Sequence, residues 1–315
     1  MEHSSHGGCL VRILRRVAAA SAGVVCAAIA VTPGTSSAQS PTDEATGTGP
    51  VELVAAGNYD YNGDDLDDVL ARRNPGGTLE LWSGDGSGGF IDHVTIGSGW
   101  GVMNLIETAG DLNGDGKADL IAREASTGAL YFYAGTGSGF RPAVRIGRGW
   151  EVMSAIVSGH DYNGDGKTDF LAVDATTGYL WLYPGTGTGT HGVRVKIGSS
   201  FNEVRELTAV GDLNEDGLAD IVAVGKNDEC MYFYAGPGNQ GFEPRVLFDC
   251  GWSVMDSAAS VGDFDGDGHA DWIGRETATG VLYLFKGNGT GSYGASPALD
   301  SGWNTMTIAL TTPPR

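Results

Sequence analysis

Basic residues are scarce in this 315-residue chain, which has 19 Lys and Arg against 39 Asp and Glu, a formal net charge of −20. Such a surface repels phosphate backbones and anionic lipid, so binding to nucleic acid or to a membrane surface is not expected. The chain also lacks a long apolar segment: the run at 17–31 is short and rich in Ala and Gly. We therefore expect no membrane span in the mature chain.

Catalytic signatures are lacking as well. The sequence contains neither a Gly-x-Ser-x-Gly elbow nor a His-Glu-x-x-His helix, the arrangements that would place a nucleophile or a zinc ion. No segment has a sustained helical period of apolar residues, which excludes a helical bundle. With 41% hydrophobic residues, the chain is nevertheless too apolar to be a disordered acidic protein. These features favour a folded, non-enzymatic protein.

The N-terminus is typical of an export signal. Arg12, Arg15 and Arg16 precede the short apolar run, and Ser36-Ser37-Ala38 offers small residues for cleavage after Ala38. The sequence thus predicts a signal peptide at 1–38, a flexible leader rich in Thr, Gly, Ser and Pro at 39–50, and a secreted, extracellular protein.

The rest of the chain is an internal repeat. Acidic nine-residue segments begin 51, 50, 51 and 51 residues apart, and they hold 19 of the 39 acidic residues. An aromatic run and a Gly-Trp pair recur at the same spacing, which indicates one structural unit per period. The acidic segments are 60–68, 111–119, 161–169, 212–220 and 263–271.

Each period has the size of one propeller blade. In the second copy, short apolar stretches at 105–110, 120–123, 130–133 and 143–146 are separated by turns, and their pattern is that of strands. Four strands in about 50 residues predict a four-stranded antiparallel blade, and five copies predict an all-β, five-bladed β-propeller over 51–310, with a short tail at 311–315. Residues 305–310 resemble a sixth copy of the first strand, whose place the sequence does not fix.

The acidic segments have the ligand spacing of calcium loops. Calcium takes six to eight oxygen ligands, and Asp or Asn at positions 1, 3, 5 and 9, with the carbonyl of position 7, can surround one ion. A solvated acidic turn is the alternative, but it would leave three or more carboxylates repelling one another in each loop. We predict about five calcium ions, with these ligands: Asp60, Asn62, Asp64, Leu66 and Asp68; Asp111, Asn113, Asp115, Lys117 and Asp119; Asp161, Asn163, Asp165, Lys167 and Asp169; Asp212, Asn214, Asp216, Leu218 and Asp220; Asp263, Asp265, Asp267, His269 and Asp271.

Two loops depart from the common pattern. Asp65 stands where the other loops have Gly at position 6, and we expect a left-handed backbone and a weaker site there. Glu215 occupies position 4 of the fourth loop, which keeps every ligand position. An EF-hand is excluded, because the twelfth residue of each segment is Ala or Gly instead of the bidentate Glu.

The Asp-x-Asn-Gly-Asp-Gly-x-x-Asp loop, followed by a strand and an aromatic hairpin, resembles the FG-GAP/VCBS repeat family. Similar repeats build the calcium-bearing propellers of integrin α-subunits and of certain fungal GlcNAc-binding lectins. The resemblance implies a β-propeller that binds calcium and serves adhesion, carbohydrate recognition or an accessory role beside an enzyme. Family propellers often have seven blades, whereas this sequence has repeats for five.

Tryptophan and cysteine give two further expectations. The recurring Trp residues could stack on sugar rings, or they could fill the wedges between blades, a role that large aromatic rings often have; they are Trp100, Trp150, Trp252 and Trp303, with Phe201 in the remaining copy. Cys230 and Cys250 lie symmetrically about one predicted hairpin, so we expect a disulfide, with free thiols as the alternative.

Together these features predict a secreted, lectin-like recognition or adhesion module for glycans or cell-surface material, acting as a monomer. The alternative is a scaffolding or enzyme-accessory protein of the cell envelope without sugar specificity. A hydrolase is the less favoured reading, because His93, His160, His191 and His269 fall at different positions of the repeat.

Overall fold

The structure is a computed structural model that describes residues 59–236 and 241–308. The predicted signal peptide, leader and C-terminal tail lie outside the described residues. Within them the chain forms twenty strands and no α-helix, and no helical segment there has the length and apolarity of a membrane crossing. The only helical elements described are five one-turn 3-10 segments: 100–102, 150–152, 201–203, 252–254 and 303–305.

The strands form five antiparallel sheets of four, as the repeat predicts. Each sheet is one blade, and the blades are numbered here in chain order. The first contains β1 (Val69–Arg73), β2 (Thr78–Gly84) and β3 (Phe90–Gly97); the second β4 (Met103–Thr108), β5 (Leu120–Glu124), β6 (Leu130–Tyr133) and β7 (Val144–Gly147); the third β8 (Met153–Ser158), β9 (Phe170–Asp174), β10 (Leu180–Tyr183) and β11 (Val195–Gly198); the fourth β12 (Val204–Gly211), β13 (Asp220–Gly225), β14 (Cys230–Tyr234) and β15 (Val246–Cys250); the fifth β16 (Met255–Gly262), β17 (Asp271–Glu276), β18 (Leu282–Phe285) and β19 (Ala298–Asp300).

The last strand, β20 (Met306–Ile308), completes the first blade. It pairs antiparallel with β1, and Ile308 lies opposite Ala71. The sixth copy of the first strand therefore closes the ring, because it supplies the innermost strand of the blade that the chain began. This closure ties the two ends of the repeat region together through backbone hydrogen bonds.

The hydrophobic core is divided among the blade interfaces. Five buried clusters are present, and each combines side chains from two neighbouring blades. The cluster between the second and third blades, for example, contains Leu105 and Ile121 from one side and Ile156 and Phe170 from the other. Since both faces of each sheet meet a neighbour, the middle strands are apolar on both faces, as in Ile221-Val222-Ala223-Val224.

An aromatic side chain fills each blade interface at the turn that leads into the next blade. Trp150 stacks obliquely on Tyr183, with 4.6 Å between ring centroids, and Phe201 packs on Tyr234 at 5.4 Å. The outer strand before Trp150 ends in Gly147, where a Cβ would lie 2.1 Å from the Trp150 indole nitrogen. In the Gly-Trp pair itself, the glycine takes a left-handed backbone, with φ 77° at Gly149, and the indole packs between the blades.

Two polar side chains meet across the centre of the ring. Tyr59 and His160 immediately precede the first and third acidic loops, whereas the other three loops are preceded by Gly. The Tyr59 hydroxyl lies 3.4 Å from His160 Nε2, although the first and third blades are not neighbours. Burial lowers the pKa of His160 to about 4, so this imidazole is neutral at physiological pH.

The predicted disulfide is confirmed. Cys230 and Cys250 lie directly opposite each other on β14 and β15, and their sulfurs are bonded. The bridge closes a loop of 20 residues, which in the chain-entropy model stabilises the fold by roughly 3 kcal/mol.

Candidate metal sites

Every acidic loop is folded around its own carboxylates. In the third loop, Asp161 accepts hydrogen bonds from the backbone N–H groups of Gly164 and Gly166, both at 2.7 Å. Asp165 accepts one from the Lys167 N–H at 3.0 Å. The same two contacts, from position 6 to position 1 and from position 7 to position 5, recur in all five loops. These backbone contacts therefore fix positions 1, 5 and 7 of each loop relative to one another.

Position 6 requires a left-handed backbone in each loop. The φ angle there is 79° at Gly166 and 92° at Gly268, a region in which glycine pays no steric cost. Asp65 takes the same geometry with φ 65°, as expected from the sequence. Glu215, at position 4 of the fourth loop, is also left-handed, with φ 59°.

The position 9 carboxylates are buried and connect each loop to its blade. Asp169 accepts the Tyr162 N–H at 3.0 Å and the Gly185 N–H, beyond the third strand, at 2.8 Å. Gly185 cannot be replaced without movement, because a Cβ there would lie 1.8 Å from the Thr168 carbonyl oxygen. The equivalent pairs of contacts are made by Asp68, Asp119, Asp220 and Asp271, except that the N–H contact within the fifth loop comes from Asp265.

Burial makes these carboxylates reluctant to ionise. It raises the pKa of Asp68 and Asp119 to about 6 and that of Asp169, Asp220 and Asp271 to about 7, with neighbouring loop carboxylates adding to the effect. The backbone hydrogen bonds act in the opposite direction but do not compensate. A cation among these oxygens would reverse the balance, because an adjacent positive charge favours the ionised form.

In two loops the carboxylates already converge. Among the described residues, Asp161, Asp165 and Asp169 place oxygens within 4.8 Å of one another, and so do Asp263, Asp265 and Asp267. In the third loop the Asn163 amide nitrogen donates to Asp169 at 2.9 Å. Rotation of the Asn163 amide by 180° would direct its carbonyl oxygen to the place where the three carboxylates converge. The ligand atoms offered to an ion there are then all oxygens.

Lys286 and His269 each pair with an acidic side chain of a loop. The Lys286 ammonium is 2.5 Å from Asp265, and His269 Nδ1 is 2.5 Å from Glu215 in the neighbouring loop. The His269 side chain thus faces the fourth loop, and the role that the sequence predicts for this residue, through its backbone carbonyl, stays a prediction, as it does for Leu66, Lys117, Lys167 and Leu218.

Asp67 is a loop residue that the sequence analysis did not single out. It occupies position 8 of the first loop, where the other loops have Ala or Thr. Its carboxylate accepts the Tyr59 N–H at 3.3 Å and the backbone N–H of Asp263, which begins the fifth loop. Burial raises its pKa to about 7. In the sequence, the acidic residue at a position where the other loops have Ala or Thr was the signal that could have identified Asp67. In the structure, Asp67 lies where the fifth blade meets the first and the ring closes.

The recurring Trp residues are buried. Their exposed fractions are 8% for Trp100, 4% for Trp150, 3% for Trp252 and 1% for Trp303. Each indole lies between two blades, so none presents a face on which a sugar ring could stack. The burial favours the packing interpretation over the sugar-binding one for all four.

The fold and the loops define a five-bladed β-propeller with one acidic, oxygen-rich loop per blade. Residues 60–122, 161–223 and 212–274 match the FG-GAP-like repeat family. The chain belongs to this family, as the resemblance of its loops implies. No curated protein sequence matches it.

Several solved structures match this chain at low identity. A lectin of Agrocybe aegerita that recognises non-reducing terminal N-acetylglucosamine is 20% identical, with a TM-score of 0.44, over 78% of this chain and 65% of the lectin. The Photorhabdus luminescens Tc holotoxin pore is 15% identical, with a TM-score of 0.42, over 82% of this chain and 13% of its own. The rhamnogalacturonan lyase YesW is 15% identical, with a TM-score of 0.31, over 75% and 51%. At these values the similarities assign neither a ligand nor an activity to this protein.

Proposed function

We propose that the protein is a secreted, calcium-binding β-propeller that acts as a non-enzymatic recognition module for glycans or cell-surface material. The observation that carries the proposal is the recurrence, in five blades, of one loop whose backbone N–H groups hold the carboxylates at positions 1, 5 and 9, with three carboxylates converging in two of the loops. Oxygen ligands without nitrogen or sulfur favour a hard cation, and the flexible, carboxylate-rich set suits calcium better than magnesium.

Calcium in these loops is structural. Each loop leads into a second strand and, through its position 9 carboxylate, contacts the end of the third strand, so an ion there would clamp two connections of one blade. If each site binds with a Kd of about 10⁻⁵ M at about 1 mM calcium, each ion stabilises the fold by about 2.7 kcal/mol. Five such contributions rival the whole stability of an ordinary domain.

A repeated outer surface supports the recognition role. The outermost strands of four blades expose a valine at the same register, with exposed fractions between 48% and 61%. Equivalent weak contacts at fixed spacing gain affinity by multiplicity when the ligand is itself repetitive, as a polysaccharide or a cell surface is. These residues are Val94, Val144, Val195 and Val246.

Secretion is consistent with the chemistry of the fold. A disulfide such as Cys230–Cys250 forms and persists in oxidising compartments. The arginine-containing apolar N-terminus supplies the export signal in this proposal.

Calcium binding is tested by metal analysis and thermal unfolding of the mature protein. We expect about five bound ions and a large fall in melting temperature on chelation with EDTA. Asp165→Ala should remove one ion, whereas Asp92→Ala, an exposed acid outside the loops, should remove none. A metal-free protein whose melting temperature is unaffected by EDTA would refute the calcium assignment.

Recognition is tested separately on a glycan array with and without calcium. Selective binding that is lost in EDTA supports a calcium-dependent lectin. If the calcium-loaded, folded protein binds no sugar on the array, glycan recognition is rejected and the scaffolding or enzyme-accessory alternative is favoured.

A further inference from the structure

Four of the five blade interfaces are bridged by an arginine. Each arginine donates to two backbone carbonyls in the 3-10 segment and first-strand start of the following blade. Arg123, for example, contacts the carbonyl oxygens of Trp150 at 2.8 Å and Met153 at 2.7 Å. The four residues are Arg72, Arg123, Arg205 and Arg275.

Three of the four arginines occupy the same position of the repeat, and the fourth comes from a neighbouring strand. Arg72, Arg123 and Arg275 occupy the same register on the second strands of their blades. The fourth blade has Val224 at this register, and there Arg205, from the adjacent first strand, contacts the carbonyls of the fifth blade instead.

The third blade has no such arginine. Its residue at this register is Val173, which has no hydrogen-bond donor. The carbonyls that correspond to the arginine acceptors belong to Phe201 and Val204, at the start of the fourth blade. Val173 and Val204 both line a cavity of about 710 Å³, which extends from Arg123 of the second blade across the first strands of the third and fourth blades to Asp256 of the fifth. It lies at the end of the ring where the first strands begin, opposite the acidic loops.

The cavity wall combines apolar and charged side chains. Met153, Leu207 and Val204 form its apolar part. Glu206 is 5% exposed, and its carboxylate accepts the Ala258 N–H and lies 3.3 Å from the Arg205 guanidinium. The acids Glu206, Glu229 and Asp256 balance the bases Arg123, Arg205 and Lys226 along the wall.

These observations restrict the class of ligand. The guanidinium of Arg205 is already engaged with Glu206, Glu229 and two carbonyls, so an anion would have to displace its partners. None of the described residues that line the cavity is aromatic, which disfavours a stacked sugar ring. A cation would instead find the carbonyl oxygen of Val204, a buried carboxylate and an apolar wall for a methylene chain. The Phe201 carbonyl accepts the Val204 N–H, just as the Trp150 carbonyl that Arg123 contacts accepts the Met153 N–H.

We propose that this cavity binds the guanidinium group of an arginine side chain from a polypeptide ligand, in the place that the protein's own arginines occupy at the other four interfaces. The methylene stem lies along Met153 and Leu207, and the planar head donates to the carbonyl of Val204, with Glu206 in the same cavity wall. The site is separate from the calcium loops and independent of the proposed glycan binding.

The experiment measures binding of Nα-acetyl-arginine-N-methylamide to the calcium-loaded protein by NMR titration or calorimetry. The neutral citrulline analogue, which has nearly the same shape, is the control ligand. We expect the arginine probe to bind at least tenfold more tightly. Equal affinity for the two probes, or no binding at millimolar concentration, would overturn the proposal.

The decisive variant is Val173→Arg, which completes the repeat pattern and fills the cavity with the chain's own guanidinium. It should abolish probe binding and raise the melting temperature. The matched control is Val193→Arg, which adds the same charge at an 88% exposed position and should bind the probe as the original chain does. Unchanged binding by a folded Val173→Arg variant would refute the site.

A second variant keeps the test decisive if Val173→Arg does not fold. Glu206→Gln retains the size and one hydrogen-bonding oxygen of the side chain but removes the charge. It should weaken binding of the arginine probe about tenfold and leave the citrulline analogue unaffected. Undiminished arginine binding by the folded Glu206→Gln variant would contradict the proposal.

Discussion

The arginine bridge between the second and third blades offers a sharp test of how the ring is held together. Arg123 is 5% exposed, and its guanidinium donates to the carbonyls of Trp150 and Met153 and to the Asn104 side chain at 2.9 Å. Replacing Arg123 with Met keeps an unbranched apolar chain but removes all three hydrogen bonds. The perturbation therefore acts on one blade interface and leaves the acidic loops untouched.

The loss of stability expected for Arg123→Met is the sum of two opposing contributions. A hydrogen bond involving a charged group is worth about 1.5–3 kcal/mol, and buried carbonyls without a donor cost more. Burial of the guanidinium is itself unfavourable, and it lowers the pKa of Arg123. Removing the buried charge therefore recovers part of the free energy that is lost with the hydrogen bonds. We expect Arg123→Met to destabilise the protein by about 3 kcal/mol, a fall in melting temperature of roughly 6–12 °C for a domain of this size.

Urea unfolding of the calcium-loaded protein, followed by tryptophan fluorescence, measures this change. Arg148→Met is the matched control, because Arg148 is exposed in the connection to the same blade and should change stability by less than about 0.5 kcal/mol. If the two variants unfold at the same urea concentration, the arginine is not a bridge and the reasoning fails.

Two further predictions concern the fourth blade. Reduction of the Cys230–Cys250 disulfide, or its replacement by two serines, should lower the free energy of unfolding by about 3 kcal/mol, measured by urea unfolding with and without reductant; an unchanged midpoint would contradict this. Burial raises the pKa of Glu206 to about 7, so the folded state retains a proton that the unfolded state loses near pH 4–5. The contribution of Glu206 to stability should therefore fall as pH rises from about 5 to about 7 and then level off. Urea midpoints across this range should show a shallower fall in Glu206→Gln than in the original chain, and identical profiles would refute the assignment.

Much of the fold could be predicted from the sequence because its information is local and repeated. The 50–51 residue spacing, the alternation within each stretch and the turn residues are enough to predict the number of blades and the number of strands in each blade. In the second copy, the predicted stretch at 130–133 coincides with β6. The pairing of Cys230 with Cys250 also follows from local geometry, because both lie on one hairpin. The ligand spacing of the acidic loops likewise depends on nine consecutive residues.

What the sequence determined by itself is therefore the repeated unit: a four-stranded blade with an acidic loop, copied five times. Only the tertiary structure decided how the copies differ, because those differences depend on contacts between residues far apart in the chain. Ile308 pairs with Ala71 to close the ring, Arg205 bridges the interface where Val224 occupies the arginine register, and Val173 lines a cavity at the register where three other blades have arginine. A strand reveals its own pattern in sequence, but the atoms that its side chains meet belong to the next blade, which the fold alone brings within reach.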